Sequence, residues 1–220
     1  MNTPRLILAS QSARRRELMT LLGLPFDTLA CDIDETPHPD EPPIDYVRRL
    51  SIEKAQTAAS RIEGDALIIA CDTTVADGAA ILGKPADADE ARAMLQQLRA
   101  RTHVVYTAMT LINTAAGKAI MQVATSPVVM RDYTDAEMDA YIASGDPFDK
   151  AGAYAIQNRT FHPVEEFSHC RANVMGLPLC HVTRMLREMG IAPKSDVPVA
   201  CQQHIEYECP VFKHVLAGRD

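Results

Sequence analysis

The sequence predicts an α/β fold, in which strands and helices alternate along the chain. An apolar run at residues 6–9 leads through two serines into a helical pattern. A longer apolar run at residues 66–71 is typical of a strand buried at the centre of a sheet. Two β-rich runs, 102–113 and 119–130, surround a turn at 116–117.

The N-terminal half alternates between predicted strands, loops and helices. Ser12 is expected to cap the first helix, which ends at Gly23. The segments that follow are a short strand at 26–31, an acidic, proline-rich loop at 32–43, a helix at 44–61, the strand at 66–71 that ends in Asp72, a return strand at 79–82 after a turn at 77–78, a loop at 83–85 and a helix at 89–99.

The C-terminal half contains two more predicted helices. Thr134 begins the first, with Glu137 at the capping-box position. The second spans 177–189 and ends at Gly190. Between them, a turn at 144–147 precedes a small-residue segment at 150–157 that we expect to be strand-like. The tail after Pro193 is expected to be irregular.

The composition indicates a soluble, cytoplasmic protein. The chain has 220 residues, of which 47% are hydrophobic and 23% charged, which are ordinary globular values. Six cysteines form no CxxC pair, and neither a signal pattern nor a membrane-spanning apolar run is present, so reduced thiols are expected. The net charge of −7 argues against general nucleic-acid binding, which needs a dominant positive field.

The N-terminal segment has two possible interpretations. Ser10 and Ser12 precede Arg14, Arg15 and Arg16 at the start of a predicted helix. Backbone N–H groups at such a position attract anions, and hydroxyl and guanidinium groups beside them would form a phosphate-binding cradle. The alternative is a solvated basic helix face.

Asp72 and Lys84 are candidate functional residues in the first half of the chain. Asp72 ends the predicted central strand, where ligands bind in α/β sheets, so its carboxylate could activate water or hold a cation. The alternative is a turn or cap residue. Lys84, between Gly83 and Pro85, suits a phosphate contact, although an exposed loop lysine is the more common case.

The segment from Lys150 to Gln157 contains small residues that would let a backbone pass close to a ligand. The amide of Gln157 could then bind a base edge, since it offers both a donor and an acceptor. Close packing of two backbone segments would explain the small residues equally well.

Together these segments resemble Maf-like proteins, over roughly residues 5–190. The resemblance is carried by several short motifs in a fixed order. They are Ser10-x-Ser12-x-Arg14-Arg15, Lys54 in a Glu-Lys-Ala run, Asp72-Thr73, Gly83-Lys84-Pro85, Tyr106-Thr107-Ala108, Asp149 to Gln157, and Gly176-Leu177-Pro178-Leu179.

The resemblance implies a mixed sheet flanked by helices, in two lobes around a deep cleft, related to the inosine-triphosphatase-like enzymes. It implies a nucleoside triphosphate pyrophosphatase that uses a divalent cation such as Mg²⁺ or Mn²⁺, and a possible homodimer. Some members of the family are linked to cell-division arrest. The corresponding domain spans 1–192 and leaves 193–220 as an irregular extension.

The resemblance also implies roles for individual residues. Asp72 matches the proton acceptor, with Lys54 and Lys84 as further catalytic residues. The expected substrate-binding residues are Ser10, Arg14, Arg15, Thr73, Lys150 and Gln157. The combination of Arg14, Thr73 and Gln157 resembles the branch that acts on dTTP and UTP.

Glu35 is a candidate for a second metal contact beside Asp72, in a hydrolysis that attacks the α-phosphorus. The alternative for Glu35 is a solvated acidic loop. Residues 158–175 depart from the family pattern, which puts the preferred base in question more than the reaction.

The tail carries cysteines and histidines at zinc-knuckle spacing, but with permuted ligand types. These residues are Cys201, His204, Cys209 and His214. The alternative that we favour is a tail with incidental Cys and His, because short motif matches have a high false-positive risk.

Two other functions compete with hydrolysis. The chain could be a nucleotide-binding regulator of division that does not hydrolyse its ligand, but such a binder has no need of a carboxylate beside a polyanion. It could bind RNA through the arginine triplet, but it has no tryptophan and few other aromatic residues for base stacking.

Overall fold

A computed structural model describes residues 4–219, which are organised around one six-stranded mixed β-sheet. The strands lie in the order β2-β1-β3-β5-β6, and β4 pairs with the far end of β3. Their bounds are β1 Arg5–Ala9, β2 Asp27–Thr28, β3 Ala66–Asp77, β4 Ala80–Leu82, β5 Thr102–Asn113 and β6 Lys118–Val129. The prediction of an α/β fold is confirmed.

Strand β3 is the centre of the sheet and is twice as long as predicted. It pairs antiparallel with β5 from Leu67 to Ala76, and this continuous partner carries it past the apolar run. On its other edge, parallel pairing with β1 stops at Ala70, and pairing with β4 starts at Val75. The prediction that the strand ends in Asp72 was therefore wrong. Asp72 lies inside β3, beside a gap between two neighbouring strands.

Helices cover both faces of the sheet. Their bounds are α1 Ala13–Thr20, α2 Pro43–Ala59, α3 Ala88–Leu98, α4 Asp135–Ala143, α5 Arg171–Val174, α6 Leu179–Glu188, α7 Val197–His204 and α8 Phe212–Leu216. Alternate side chains of β3 point to opposite faces. Ala66, Ile68 and Ala70 pack with α2, whereas Leu67 and Ile69 pack with α1 and α6.

Several local predictions from turn and cap chemistry are confirmed. The Ser12 side chain accepts from the Arg15 backbone N–H, and Thr134 and Glu137 form the complete capping box of α4. The hairpin of β5 and β6 is also present. The strand expected at 26–31 is much shorter, because only Asp27–Thr28 pairs with β1.

The prediction of a strand at 150–157 was wrong. A 3₁₀ turn at Ala151–Ala153 occupies the start of this segment, and another at Asp146–Asp149 directly precedes it. Gly152 and Ala153 have φ angles of 68° and 58°, which an extended strand cannot accommodate. The small residues instead allow a close approach to β3, since a Cβ on Gly152 would lie 2.9 Å from Cγ1 of Val75.

The prediction of an irregular tail was also wrong, because α7 and α8 lie beyond Pro193. The Asp196 side chain caps α7, and both helices pack against α6, burying Val197, Cys201 and Val215. A domain boundary at 192 stays a prediction. Between residues 4 and 219, no helix is long and apolar enough to cross a bilayer.

Candidate active site

A cleft of about 720 Å³ opens beside the part of β3 that lies between its pairing with β1 and its pairing with β4. We call Glu35, Lys54 and Asp72 the cleft floor, and residues 146–176 the cleft wall. Every site residue predicted from the sequence lines this single cleft. The predicted residues are Ser10, Arg14, Arg15, Glu35, Lys54, Asp72, Thr73, Lys84, Lys150 and Gln157.

The cleft floor is a lysine held between two carboxylates. The Lys54 ammonium donates to Oδ1 of Asp72 at 2.6 Å and lies 2.7 Å from Oε1 of Glu35. Lys54 and Asp72 are buried, whereas the Glu35 side chain is more than half exposed. Side chains two residues apart on a strand point to the same face, and Asp72 follows Ile68 and Ala70 at this spacing. Its side chain therefore points to α2, where Lys54 lies.

Burial raises the pKa of Asp72 above its ordinary value, although the positive charges of Lys54 and Arg15 act in the opposite direction. Desolvation disfavours the carboxylate, and it outweighs the two cations. A carboxyl group in this setting holds a proton at a higher pH than a surface aspartate, which suits a group that accepts a proton during a reaction.

Arg15, in the first turn of α1, connects this helix to β3 and to the cleft wall. Its guanidinium donates to the carbonyl of Cys71 at 2.7 Å, to the carbonyl of Gly176 at 2.9 Å and to Oγ1 of Thr73 at 2.9 Å. Because these acceptors belong to the protein, the contacts hold the cleft wall against β3. Arg14 lies beside it and pairs with Asp149 at 3.0 Å, at the mouth of the cleft.

Thr73 begins a buried polar chain that extends away from the cleft. Its hydroxyl lies 2.9 Å from that of Thr107, which donates to the carbonyl of Asn173. The Asn173 amide in turn donates to Ser126 and to the carbonyl of Val105. Sequence reasoning missed Asn173, because no local pattern shows that it connects α5 to β5 and β6.

Lys150 is positioned by oxygen atoms of its own turn. Its ammonium donates to the Asp146 carbonyl at 2.6 Å, to Asp146 Oδ1 at 2.9 Å and to Asp149 Oδ1 at 2.5 Å. Sequence reasoning also missed Asp146 and Asp149, although Asp149 directly precedes Lys150 in the quoted motif. These contacts fix the turn that precedes Gln157.

Ser10, Lys84 and Gln157 present polar groups to the open space of the cleft. The Ser10 hydroxyl accepts from the Ser12 backbone N–H at 3.2 Å. Lys84 and Gln157 are exposed, and neither has a hydrogen-bond or ion-pair partner within residues 4–219. Their ammonium and amide groups are therefore available to a ligand.

The cleft floor is chemically suited to a divalent cation when a phosphate chain is present. Glu35 and Asp72 converge on one point, where both contact Lys54. Mg²⁺ is commonly bound by one or two carboxylates together with substrate phosphates. Across residues 4–219, no cluster of three or more Cys, His, Asp or Glu could hold a metal without such added ligands, and this includes the cysteines and histidines of the tail.

The fold and the cleft define an α/β protein in which a cleft lined by arginine and lysine contains a buried carboxylate–lysine pair. The chain belongs to the Maf family, since the family profile described as "Maf-like protein" matches residues 5–189. This confirms the family inferred from the ordered motifs.

Two relatives named dTTP/UTP pyrophosphatase illustrate the similarity. The protein of Syntrophus aciditrophicus (strain SB) is 43% identical over 190 residues, which cover 86% of this chain and 92% of the relative. The protein of Myxococcus xanthus (strain DK1622) is 47% identical over 186 residues, which cover 84% and 93%. Among solved structures, the Staphylococcus aureus Ham1 protein aligns over 92% of this chain and 98% of its own, with 11% identity and a TM-score of 0.47.

Proposed function

We propose that this protein is a nucleoside triphosphate pyrophosphatase that hydrolyses dTTP and UTP to the monophosphate and pyrophosphate. The observation that carries the proposal is the buried contact of Lys54 with Asp72, at the bottom of a cleft lined by arginine and lysine. Relatives named dTTP/UTP pyrophosphatase, which align over most of this chain, support the choice of substrate.

In the proposed reaction, Asp72 orients a water molecule and accepts its proton as the water oxygen attacks the α-phosphorus. The bond from the α-phosphorus to the oxygen bridging to the β-phosphorus breaks, and pyrophosphate leaves with that oxygen. The raised pKa of Asp72 favours the proton transfer. Lys54 holds Asp72 in place and balances its charge.

The cations around the cleft are proposed to bind the triphosphate. Lys84 has no ion-pair partner among residues 4–219, so it can neutralise phosphate charge directly. Arg14 would exchange Asp149 for a phosphate oxygen, whereas Arg15 would act mainly by fixing the walls through its three protein acceptors. Ser10 would donate its hydroxyl to a phosphate oxygen.

Glu35 and Asp72 are the residues proposed to hold Mg²⁺ or Mn²⁺. When bound, the cation would neutralise charge on the phosphate oxygens. The Lys54 ammonium contacts both carboxylates, so a cation bound by both would replace part of this contact.

Gln157 is proposed to distinguish the base. Its amide can donate to a pyrimidine carbonyl and accept from the N3–H of thymine or uracil. Cytosine presents an N3 acceptor and an amino donor instead, so it would pair only with the amide in the flipped orientation. Lys150 is proposed to support this side of the cleft by fixing its turn.

The test is a pyrophosphate-release assay with dTTP, UTP, 5-methyl-UTP, CTP and 7-methyl-GTP, with and without Mg²⁺. We expect turnover of the thymine and uracil nucleotides that depends on Mg²⁺ and exceeds that of CTP and 7-methyl-GTP. Tight binding of dTTP without pyrophosphate release would contradict the proposal and favour a non-catalytic regulator of division. The homodimer stays a prediction.

A further inference from the structure

The C-terminal extension folds back onto the cleft wall. The Tyr207 hydroxyl lies 2.7 Å from the carbonyl of Phe167 and 3.1 Å from that of His169. The Arg171 guanidinium lies over the Tyr207 ring, 4.5 Å from its centroid. These contacts hold residues near 207 beside the start of α5, where the chain departs from the family's usual sequence.

Two cysteines meet at this junction. The Cys170 and Cys209 side chains are hydrogen-bonding neighbours across this junction, where Tyr207 contacts His169 and Arg171, the residues on either side of Cys170. Both side chains are partly exposed, so a small oxidant can reach them. The Cys209 backbone N–H donates to Oε1 of Gln202 at 2.9 Å, which anchors this side of the contact to α7.

The pKa values of the two thiols are shifted in opposite directions, which favours oxidation of Cys209. The contact with Cys170, together with hydrogen bonds from backbone N–H groups of Val211 and Phe212, lowers the pKa of Cys209 below the ordinary value of a thiol. The same contact and burial raise the pKa of Cys170. A lower pKa increases the fraction of Cys209 that is present as thiolate, which is the reactive form of cysteine.

We propose that Cys170 and Cys209 are a reversible oxidation site, at which a peroxide converts the thiol contact into a disulfide that ties the C-terminal extension to the cleft wall. The Cys209 thiolate attacks one peroxide oxygen, the O–O bond breaks, and a sulfenic acid and hydroxide form. The Cys170 sulfur then attacks the Cys209 sulfur and displaces its oxygen as water. Two thiols are oxidised and one hydrogen peroxide is reduced to two waters.

The site is connected to the candidate active site by a short segment. Cys170 immediately precedes α5, Arg171–Val174, and this helix leads to Gly176, whose carbonyl accepts from Arg15. Asn173 in the same helix accepts from Thr107, next to Thr73. A disulfide at Cys170 would therefore constrain the segment whose groups shape the cleft. This effect on turnover rests on the proposed function, whereas the disulfide itself does not.

The first test maps the bond in the intact protein. The protein is treated with hydrogen peroxide, free thiols are alkylated, and a digest made without reductant is analysed by mass spectrometry. We expect one main cross-link, between Cys170 and Cys209, which dithiothreitol removes. Pairing of Cys209 with Cys201 or Cys180, or oxidation of Cys209 without a cross-link, would overturn the proposal.

Three variants sharpen this test. Cys170→Ser and Cys209→Ser should each abolish the cross-link, whereas Cys201→Ala, which removes a buried thiol from the same extension, should retain it. Because the mapping uses the wild-type protein, a variant that fails to fold leaves the result intact. A cross-link that persists in Cys209→Ser would contradict the assignment.

The second test follows dTTP turnover in the same samples. We expect oxidation to lower kcat/KM about tenfold through misplacement of cleft groups, dithiothreitol to restore it, and Cys209→Ser to be insensitive. A cross-link without any change in turnover would overturn the link to the cleft. No pyrophosphate release by the reduced protein would contradict the proposed function, while the mapped disulfide would stand.

Discussion

The cleft floor and the cleft wall are built by different means. Lys54 and Asp72 in the floor lie within α2 and β3, whose hydrogen-bond ladders fix where their side chains point. The wall, residues 146–176, consists of turns and one short helix. Individual side-chain contacts hold it, such as Lys150 to Asp146 and Arg15 to Gly176.

Because of this difference, we expect substitutions in the cleft floor and in the cleft wall to have different effects on turnover. Damage to the floor should lower the turnover of every nucleotide alike, because Lys54 and Asp72 lie where the phosphate chemistry is proposed. Damage to the wall should change the relative turnover of different bases, or the stability of the protein, because the wall carries Gln157 and depends on local contacts.

Asp72→Asn should have the largest effect on catalysis. The amide cannot accept the proton of water, so kcat should fall by about 10²–10⁴-fold, the usual contribution of a general base. The loss should be equal for dTTP and UTP, measured as pyrophosphate release. Asp65→Asn, at an exposed position just before β3, is the matched control and should turn over normally. Near wild-type kcat in Asp72→Asn would exclude the proposed role.

Lys54→Gln should lower kcat about 10²-fold and also change its pH dependence. Only ionised Asp72 accepts a proton, so activity falls on the acid side as pH drops through the Asp72 pKa, which burial raises. Removing the Lys54 charge raises that pKa further, and the acid limb of kcat should move to higher pH. If the acid side of the kcat–pH profile did not move, a group other than Asp72 would control the loss of activity at low pH.

The same shift has a consequence for folding. Because the Asp72 pKa is higher in the folded state than in the unfolded state, this group's contribution to stability falls as pH rises between the two values. Lys54→Gln should widen that range. Urea denaturation at several pH values measures it, and Lys118→Gln, in an exposed ion pair with Glu188, is the control expected to change little.

Gly152→Ala should lower the free energy of unfolding, because it strains the cleft wall where the wall contacts β3. The positive φ costs about 1–2 kcal/mol for a side chain, and overpacking against Val75 adds about 1–3 kcal/mol. Gly64→Ala separates the two costs, since Gly64 has a φ of 81° but nothing within 4 Å of a Cβ. Equal losses in the free energy of unfolding, measured with urea, would show that the contact with Val75 is unimportant.

Gln157→Glu should have the smallest effect on overall turnover and the clearest effect on selectivity. A carboxylate cannot donate to a pyrimidine carbonyl, so the kcat/KM ratio of dTTP to CTP should fall about tenfold, the equivalent of one hydrogen bond. Gln96→Glu makes the same change on an exposed part of α3 and should leave the ratio unchanged. An unchanged ratio in Gln157→Glu would place base selection elsewhere.

The sequence predicted the floor better than the wall for a physical reason. Helix and strand periods, together with cap residues such as Ser12, located α1, α2 and most of the sheet. The alternation of side chains along β3 then directs Asp72 to the face covered by α2, where Lys54 lies, although sequence reasoning did not foresee this contact.

The wall and the tail were predicted poorly because their structure depends on distant contacts. The small residues of 150–157 resemble a strand, and nothing local reveals the positive φ at Gly152 and Ala153. The two tail helices are only eight and five residues long and depend on packing against α6. Short helices of this kind have little stability of their own, so their local sequence signal is weak.

The proposed mechanism requires that the cleft floor direct water to the α-phosphorus of a nucleoside triphosphate. Hydrolysis of dTTP in ¹⁸O-labelled water, followed by mass spectrometry of both products, tests it most directly. We expect the label to enter thymidine monophosphate and pyrophosphate to remain unlabelled. Label in pyrophosphate, or release of labelled orthophosphate instead, would contradict it.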